Sequence, residues 1–294
     1  MDAKKTVMPK LMDVTWEKQI ITKGIWGNRP RESAKCIVIF ENIVTENVAL
    51  EEVQQGEISS YLSSDFDNTL VIGDADTDVD RCIDKALRSM LKCEVSLFII
   101  SFVLPLHCSD TASSLGNGAI KCTVLLKEIY NEPYIFEWSH SKKYEVAMQH
   151  KIRGVELYKS GRTRDAFLRF SKGLKLLITM TLLEEIEYSK DDILALHAVL
   201  CNNIASCHLL YKNYSEALKM CNKVLQIELK NVKALFRRAS AEIELQNYEQ
   251  AKQDLSMILE MEPENRAVRM KLNELSKRQK EFDAKLADAM KKMF

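Results

Sequence analysis

Five aspartates lie within eleven consecutive positions: Asp74, Asp76, Asp78, Asp80 and Asp84. Such spacing could coordinate calcium, and a close carboxylate pair could act as acid and base on a glycoside. A calcium loop also needs glycine at position 6 and a bidentate glutamate at position 12. Counting from Asp74 puts Val79 and Lys85 there, and a cation at the bidentate position excludes calcium. The carboxylate pair has no better support, since any aspartate-rich helix start provides one.

A structural explanation of these aspartates is stronger. Carboxylates near the first turn of a helix are stabilised by the macrodipole and by free backbone N–H groups. The segment opens with aspartates and ends with Arg88 and Lys92, the polarity that a helix favours. Apolar residues recur at helical spacing within it: Val79, Ile83, Leu87 and Met90. We therefore predict a short helix with one face on a sheet.

The remaining reactive residues suggest neither a metal nor a cofactor. The eight cysteines form no C-x-x-C pair and are predicted to be buried thiols of a reducing compartment. The five histidines show no ligand or triad spacing, and no phosphate-binding glycine motif occurs. We predict no catalytic residue, no metal site and no cofactor.

Charge and hydropathy exclude two classes of partner. Lys plus Arg and Asp plus Glu both total 42, which argues against a broadly basic nucleic-acid binder. The most apolar run, residues 95–106, is shorter than the roughly 20 residues of a membrane-spanning helix. We expect no nucleic acid, no membrane, and a cytoplasmic location that could extend to the nucleus.

Two halves of different periodicity must position these residues. Segments rich in Val, Ile, Phe and Thr predict strands at 18–25, 35–44, 68–73, 93–104 and 119–130. From residue 143 the pattern changes to long amphipathic helices. We predict a lead at 1–17, a sheet domain at 18–131, a hinge at 132–142, helical repeats at 143–263 and a final helix at 264–294.

Small and apolar residues repeat in the second half. Ala205 and Ala239 are 34 residues apart, as are Ala217 and Ala251. A third copy starts at Gly154, with an insertion near residues 177–192. A 34-residue helix pair resembles the tetratricopeptide repeat (TPR), and three such pairs imply a concave groove for a peptide.

Four polar residues are predicted on the groove-facing helices: Lys151, Asn203, Lys233 and Arg237. Together they could grip a carboxylate-rich peptide end through charge-assisted hydrogen bonds. The segments HKIRGVELYKSG, LCNNIASCHLL and NVKALFRRA resemble the groove segments of large immunophilins. That resemblance implies a carboxylate clamp for the Glu-Glu-Val-Asp tail of heat-shock chaperones, with Val155 departing where many clamps place asparagine. The alternative is a solvated surface without a ligand.

The first half resembles the FKBP-type prolyl isomerases, a curved antiparallel sheet wrapped on one short helix. Aligning Lys92-Cys93-Glu94 with the family's Lys-Gly-Glu turn places four residues on pocket positions: Val79, Asp80, Ile83 and Leu106. Phe40 lies near the position of a pocket tyrosine on the first strand. The resemblance implies that Asp80 replaces an apolar wall, Ile83 a tryptophan and Leu106 a corner tyrosine. The family's Phe-Asp motif has no convincing counterpart in residues 46–67. A carboxylate in a dry pocket is costly without a partner, so we expect a degenerate pocket that is wet, narrowed or absent.

We therefore predict an α+β protein: an FKBP-like domain, three TPR units and a long C-terminal capping helix. The expected function is a non-catalytic adaptor or co-chaperone, with a weak prolyl isomerase as the alternative. The resemblance to divergent insect members of this family implies a client kinase of the casein kinase type. The last helix, with nine Lys or Arg against four Asp or Glu over residues 266–294, offers calmodulin as a further partner.

Overall fold

A computed structural model describes residues 12–104, 116–180 and 189–291. The chain divides into two compact units, Met1–Glu137 and Trp138–Phe294. The first contains the sheet and the second consists of helices. The predicted α+β class is confirmed.

Unit 1 is built on a five-stranded antiparallel sheet with the order β1-β4-β5-β2-β3. The strands are β1 (Met12–Thr22), β2 (Lys35–Glu46), β3 (Thr69–Val71), β4 (Glu94–Leu104) and β5 (Gly116–Tyr130). The prediction that the first strand begins at residue 18 is wrong. Val14, Trp16 and Lys18 alternate with exposed residues in pairing with β4, so the period-2 pattern already starts in the proposed lead.

Helix α2 (Asp78–Leu87) covers one face of this sheet, as predicted. Thr77 caps it, accepting a hydrogen bond from the Asp80 N–H at 3.0 Å. Val79, Ile83, Leu87 and Met90 are all fully buried. The structure adds a short helix that was not predicted, α1 (Leu50–Gln54), which buries only Val53.

Unit 2 contains three antiparallel helix pairs followed by one long helix. The pairs are α3 (His140–Lys159) with α4 (Thr163–Met180), α5 (Lys190–Leu210) with α6 (Tyr214–Ile227), and α7 (Val232–Glu244) with α8 (Tyr248–Met261). The final helix, α9 (Arg266–Lys291), packs on α8.

Small residues allow close helix approach within each pair. Ala205 and Ala239 are fully buried, and a Cβ at Gly154 would lie 2.5 Å from Phe170 Cε1. Glycine is thus required where α3 meets α4. By length and composition α5 could cross a bilayer, but half of its apolar stretch is buried in unit 2, as is common for a core helix.

Candidate functional site

One of the five predicted pocket residues of unit 1 is a buried carboxylate, Asp80. Asp80 has no solvent exposure, and it accepts hydrogen bonds from the segment 59–61 on both oxygens. The Ser59 hydroxyl and the Tyr61 N–H, at 3.4 Å, donate to Oδ1. The Ser60 N–H, at 3.1 Å, and the Ser60 hydroxyl, at 2.7 Å, donate to Oδ2. The carboxylate therefore has the partners that the sequence analysis did not find.

A second carboxylate on α2, that of Asp84, also accepts a hydrogen bond from the segment 59–61. Asp84 is 4% exposed and accepts from the Gly73 N–H at 2.7 Å and from the Tyr61 hydroxyl at 3.4 Å. Burial, together with the charge of Asp84, raises the pKa of Cys36 to about 12. That thiol is therefore protonated and inert near neutral pH.

Aromatic side chains remain beside α2. The ring of Phe66 lies 5.7 Å from that of Phe40 and 5.8 Å from that of Tyr61. Tyr61 and Phe66 come from residues 46–67, in which no counterpart of the family's Phe-Asp motif was predicted. Val79 and Ile83 are buried in the same core, whereas Leu106 lies outside the described residues.

In unit 2 the predicted clamp residues lie on the first helix of each pair. Lys151 is on α3, Asn203 on α5, and Lys233 and Arg237 are on α7. Lys233 is exposed, and Lys151 and Asn203 are half-buried. Over the described ranges these three side chains have neither a hydrogen bond nor an ion pair, so all three are available to a ligand.

Arg237 is half-buried like Lys151 and Asn203, but unlike them it has a hydrogen-bond partner within the fold. Burial lowers the pKa of Arg237, although arginine stays protonated in proteins. Its Nη1 donates to Asn202 Oδ1. Within the part of the chain that the structure describes, no carboxylate pairs with this guanidinium. The result is a half-buried positive charge whose hydrogen-bond partner among the described residues is a neutral amide.

Asn202 belongs to a chain of amides that reaches the start of α7. Its Nδ2 donates to Asn231 Oδ1 at 3.3 Å, and the same oxygen accepts the Ala234 N–H at 2.9 Å. Asn231 is thus the N-cap of α7. Its own Nδ2 donates to Glu228 at 2.6 Å.

A further hydrogen bond joins the first two repeats. The Tyr158 hydroxyl on α3 and the Ser206 hydroxyl on α5 are 2.7 Å apart. Together with the contact between Asn202 and Arg237, it links α3, α5 and α7. No sequence pattern predicted Asn202, Tyr158 or Ser206 as site residues, and the Asn202-Asn203 doublet was the one local signal.

Metal chemistry has no support in the described parts of the chain. No group of three or more His, Cys, Asp or Glu side chains is placed there to hold an ion. Burial raises the pKa of Cys122 to about 12 and that of Cys201 to about 11. These thiols are structural.

One family model matches within each of the two units of the fold. Residues 10–131 match the family described as BDBT FKBP like N-terminal, and residues 208–275 match the tetratricopeptide repeat. The chain thus has an FKBP-like N-terminal domain and TPR repeats, and it is similar to immunophilins of the FKBP4 type.

Individual curated relatives are similar to this chain over one or both of these regions. The human FK506-binding protein-like is 34% identical over 159 residues, covering 54% of this chain and 43% of the relative. Peptidyl-prolyl cis-trans isomerase FKBP4 of Bos taurus is 26% identical over 260 residues, covering 87% and 53%. The chain spans about half the length of the curated relatives it matches.

A solved structure supports the fold. The crystal structure of residues 1-211 of CG17282 superimposes with a TM-score of 0.50 at 21% identity. The match covers 68% of this chain and 91% of that one. At this identity the likeness concerns the fold alone.

Proposed function

We propose that this FKBP-like TPR protein is a non-catalytic adaptor or co-chaperone whose groove binds an acidic C-terminal peptide. The observation that carries the proposal is the half-buried Arg237, which no carboxylate of the described residues neutralises. Lys151, Asn203 and Lys233 add two cations and an amide on the same set of first helices.

The physics favours a carboxylate ligand at Arg237. A buried charge is costly unless it is paired and hydrogen-bonded. A guanidinium has five N–H donors, and one of those of Arg237 reaches Asn202. A peptide carboxylate could accept two of the others in a bidentate pair. The peptide carboxylate would supply the counter-ion that Arg237 lacks among the described residues. No further cation would have to lose its hydration.

The resemblance to large immunophilins suggests the ligand, the Glu-Glu-Val-Asp tail of heat-shock chaperones. Val155 supplies no amide where many clamps have asparagine. Recognition would therefore depend on the cations Lys151, Lys233 and Arg237.

Calorimetry with a synthetic peptide ending in Glu-Glu-Val-Asp tests the groove. Lys233→Ala and Arg237→Ala should each weaken binding by about 1.5–3 kcal/mol, the range for hydrogen bonds to charged groups. Lys230→Ala is the matched control, because Lys230 is an exposed lysine in the turn before α7. Unchanged affinity in both clamp variants would rule the clamp out.

The proposal of a non-catalytic front domain rests on Asp80. Catalysis of prolyl isomerisation must lower an amide barrier of about 18–20 kcal/mol, which favours a dry apolar cup. Asp80 puts a charge into that wall, and the segment 59–61 is fastened across it.

A weak prolyl isomerase is the second candidate, favoured by the aromatic group of Phe40, Tyr61 and Phe66. A chymotrypsin-coupled assay on a proline peptide separates the two. A rate above background that Tyr61→Ala abolishes would establish the enzyme. A background rate for the wild type supports the adaptor.

A client kinase of the casein kinase type is a further part of the proposal. It rests on the resemblance to the divergent insect protein called bride of doubletime, whose name implies a kinase of the circadian clock.

The seven described free cysteines, six of them buried, suit a cytoplasmic location. A pull-down from cytosol with wild type and a Lys233→Ala/Arg237→Ala double variant would separate partners held by the groove from those held elsewhere.

A further inference from the structure

We propose that Asn202 is a positioning residue for the acidic-peptide site: it orients the Arg237 guanidinium and leaves its charge available to the ligand. This inference rests on the proposed function of the groove. It concerns a residue one position away from the predicted clamp asparagine.

The Asn202 amide is fixed at both ends. The side chain is part of a residue that is 6% exposed. Its Nδ2 points to Asn231 Oδ1, so its Oδ1 faces Arg237 Nη1. Because an amide has one acceptor end and one donor end, the bond to Asn231 determines which end the arginine meets.

Asn231, which holds the Asn202 amide, is also the N-cap of α7. Asn231 Oδ1 caps α7 through the Ala234 N–H at 2.9 Å, and α7 carries both Lys233 and Arg237. The orientation of the guanidinium is therefore tied to the helix that presents it. A ligand carboxylate meets a guanidinium that is already held in place, which reduces the entropy lost on binding.

The adjacent Arg238 shows how a carboxylate partner within the fold neutralises an arginine. Arg238 also donates to an asparagine, Asn222 Oδ1, at 2.9 Å. It additionally forms a bidentate pair with Asp254, with distances of 2.8 and 2.6 Å. Arg238 is thus neutralised within the fold, whereas Arg237 has the asparagine without the carboxylate. The difference leaves one of two neighbouring arginines for an external anion.

Replacing the amide by a carboxylate should close the site from inside. Asn202→Asp places a negative charge against Arg237, where it competes with the peptide for the same N–H groups. We expect calorimetry with a Glu-Glu-Val-Asp peptide to show an affinity lower by at least about tenfold, the effect of losing a charged hydrogen bond. Asn222→Asp is the matched control, since it adds the same charge beside the already paired Arg238, and it should bind as the wild type does.

A double variant distinguishes positioning from general damage. If Asn202 acts through Arg237, then Arg237→Ala should weaken binding in the wild type but cause no further loss in the Asn202→Asp background. Additive losses would overturn the inference, as would an Asn202→Asp protein that binds like the wild type. Absence of binding by the wild type would instead overturn the proposed function and with it the ligand role of Asn202.

A third variant covers failure of the aspartate protein to fold, checked by circular dichroism. Asn202→Leu removes both amide hydrogen bonds without adding a charge. It should lower the peptide affinity severalfold, because the guanidinium loses its fixed orientation. Unchanged affinity in a folded Asn202→Leu protein would overturn the inference.

Discussion

Ser60 and Asp80 are joined twice: the Ser60 N–H and the Ser60 hydroxyl donate to the same carboxylate oxygen, at 3.1 and 2.7 Å. The second oxygen accepts from Ser59 and Tyr61. A carboxylate can be buried when its oxygens are hydrogen-bonded, so Asp80 needs no water. The same bonds hold the segment 59–61 against α2, across the region where the family resemblance places a pocket.

The first prediction concerns the hydrogen bonds between Asp80 and the segment 59–61. Asp80→Ala should lower the free energy of unfolding of the sheet unit by about 2–4 kcal/mol, since it leaves buried donors without an acceptor. Urea denaturation followed by tryptophan fluorescence measures the loss. Asp78→Ala, whose partly exposed side chain pairs with Arg81 at 2.9 Å, should cost about 1 kcal/mol or less. Equal losses in the two variants would mean that the segment 59–61 is not held by Asp80.

The second prediction concerns Arg238. Asp254 is 4% exposed, and Arg238 is its bidentate partner. Arg238→Ala should destabilise the helical unit by about 3 kcal/mol, because it leaves a buried carboxylate without its cation. Thermal unfolding followed at 222 nm by circular dichroism tests this. Lys219→Ala removes the exposed pair with Glu216 and should leave the stability close to that of the wild type, because exposed ion pairs contribute little. A similarly small loss for Arg238→Ala would contradict the assignment of a structural ion pair.

Helices and repeats whose residues recur at a regular local spacing could be predicted from the sequence. The apolar face of α2 repeats at helical spacing, and the small residues of the repeats recur at a fixed interval. Both signals lie within one element or one repeat, so they do not depend on distant contacts. The start of β1 was placed too late, although Val14 and Trp16 already follow the period-2 pattern.

The partners of buried polar groups could not be predicted in the same way. Asp80 is held by residues 19 to 21 positions earlier, in a stretch with neither helical nor strand periodicity. Asn202 contacts an arginine 35 positions away. A helix turns about 100° per residue, so adjacent asparagines face different neighbours. The packing of α5 against α7 decides which one meets Arg237.

The third prediction tests the close approach of α3 and α4. Alanine favours a helix over glycine by about 1 kcal/mol, yet a Cβ at Gly154 would meet the ring of Phe170, which is 1% exposed. Overpacking a rigid buried ring costs about 1–3 kcal/mol, so Gly154→Ala should lower the melting temperature of the helical unit. Adding Phe170→Leu to this variant should recover part of the loss. A more stable Gly154→Ala protein would show that the two helices can separate freely.

The fourth prediction is a pH dependence that arises from Glu94, which is 3% exposed. Its carboxylate accepts hydrogen bonds from Lys18 Nζ and from the Ser96 hydroxyl, both at 2.9 Å. Burial alone would raise the pKa of Glu94, but hydrogen bonds, that from Lys18 foremost, hold it below the ordinary value.

The sign of this dependence follows from proton linkage. The unfolded chain takes up the proton more readily than the folded one, so the contribution of Glu94 is complete above the unfolded pKa of about 4.3 and is lost as the pH falls further. The wild type should therefore exceed Glu94→Gln in urea midpoint near pH 7, and this difference should shrink when both proteins are measured near pH 4 and below. A difference that stays constant over that range would show that the ionised carboxylate does not stabilise the sheet, and that Glu94 acts through its shape and hydrogen bonds alone.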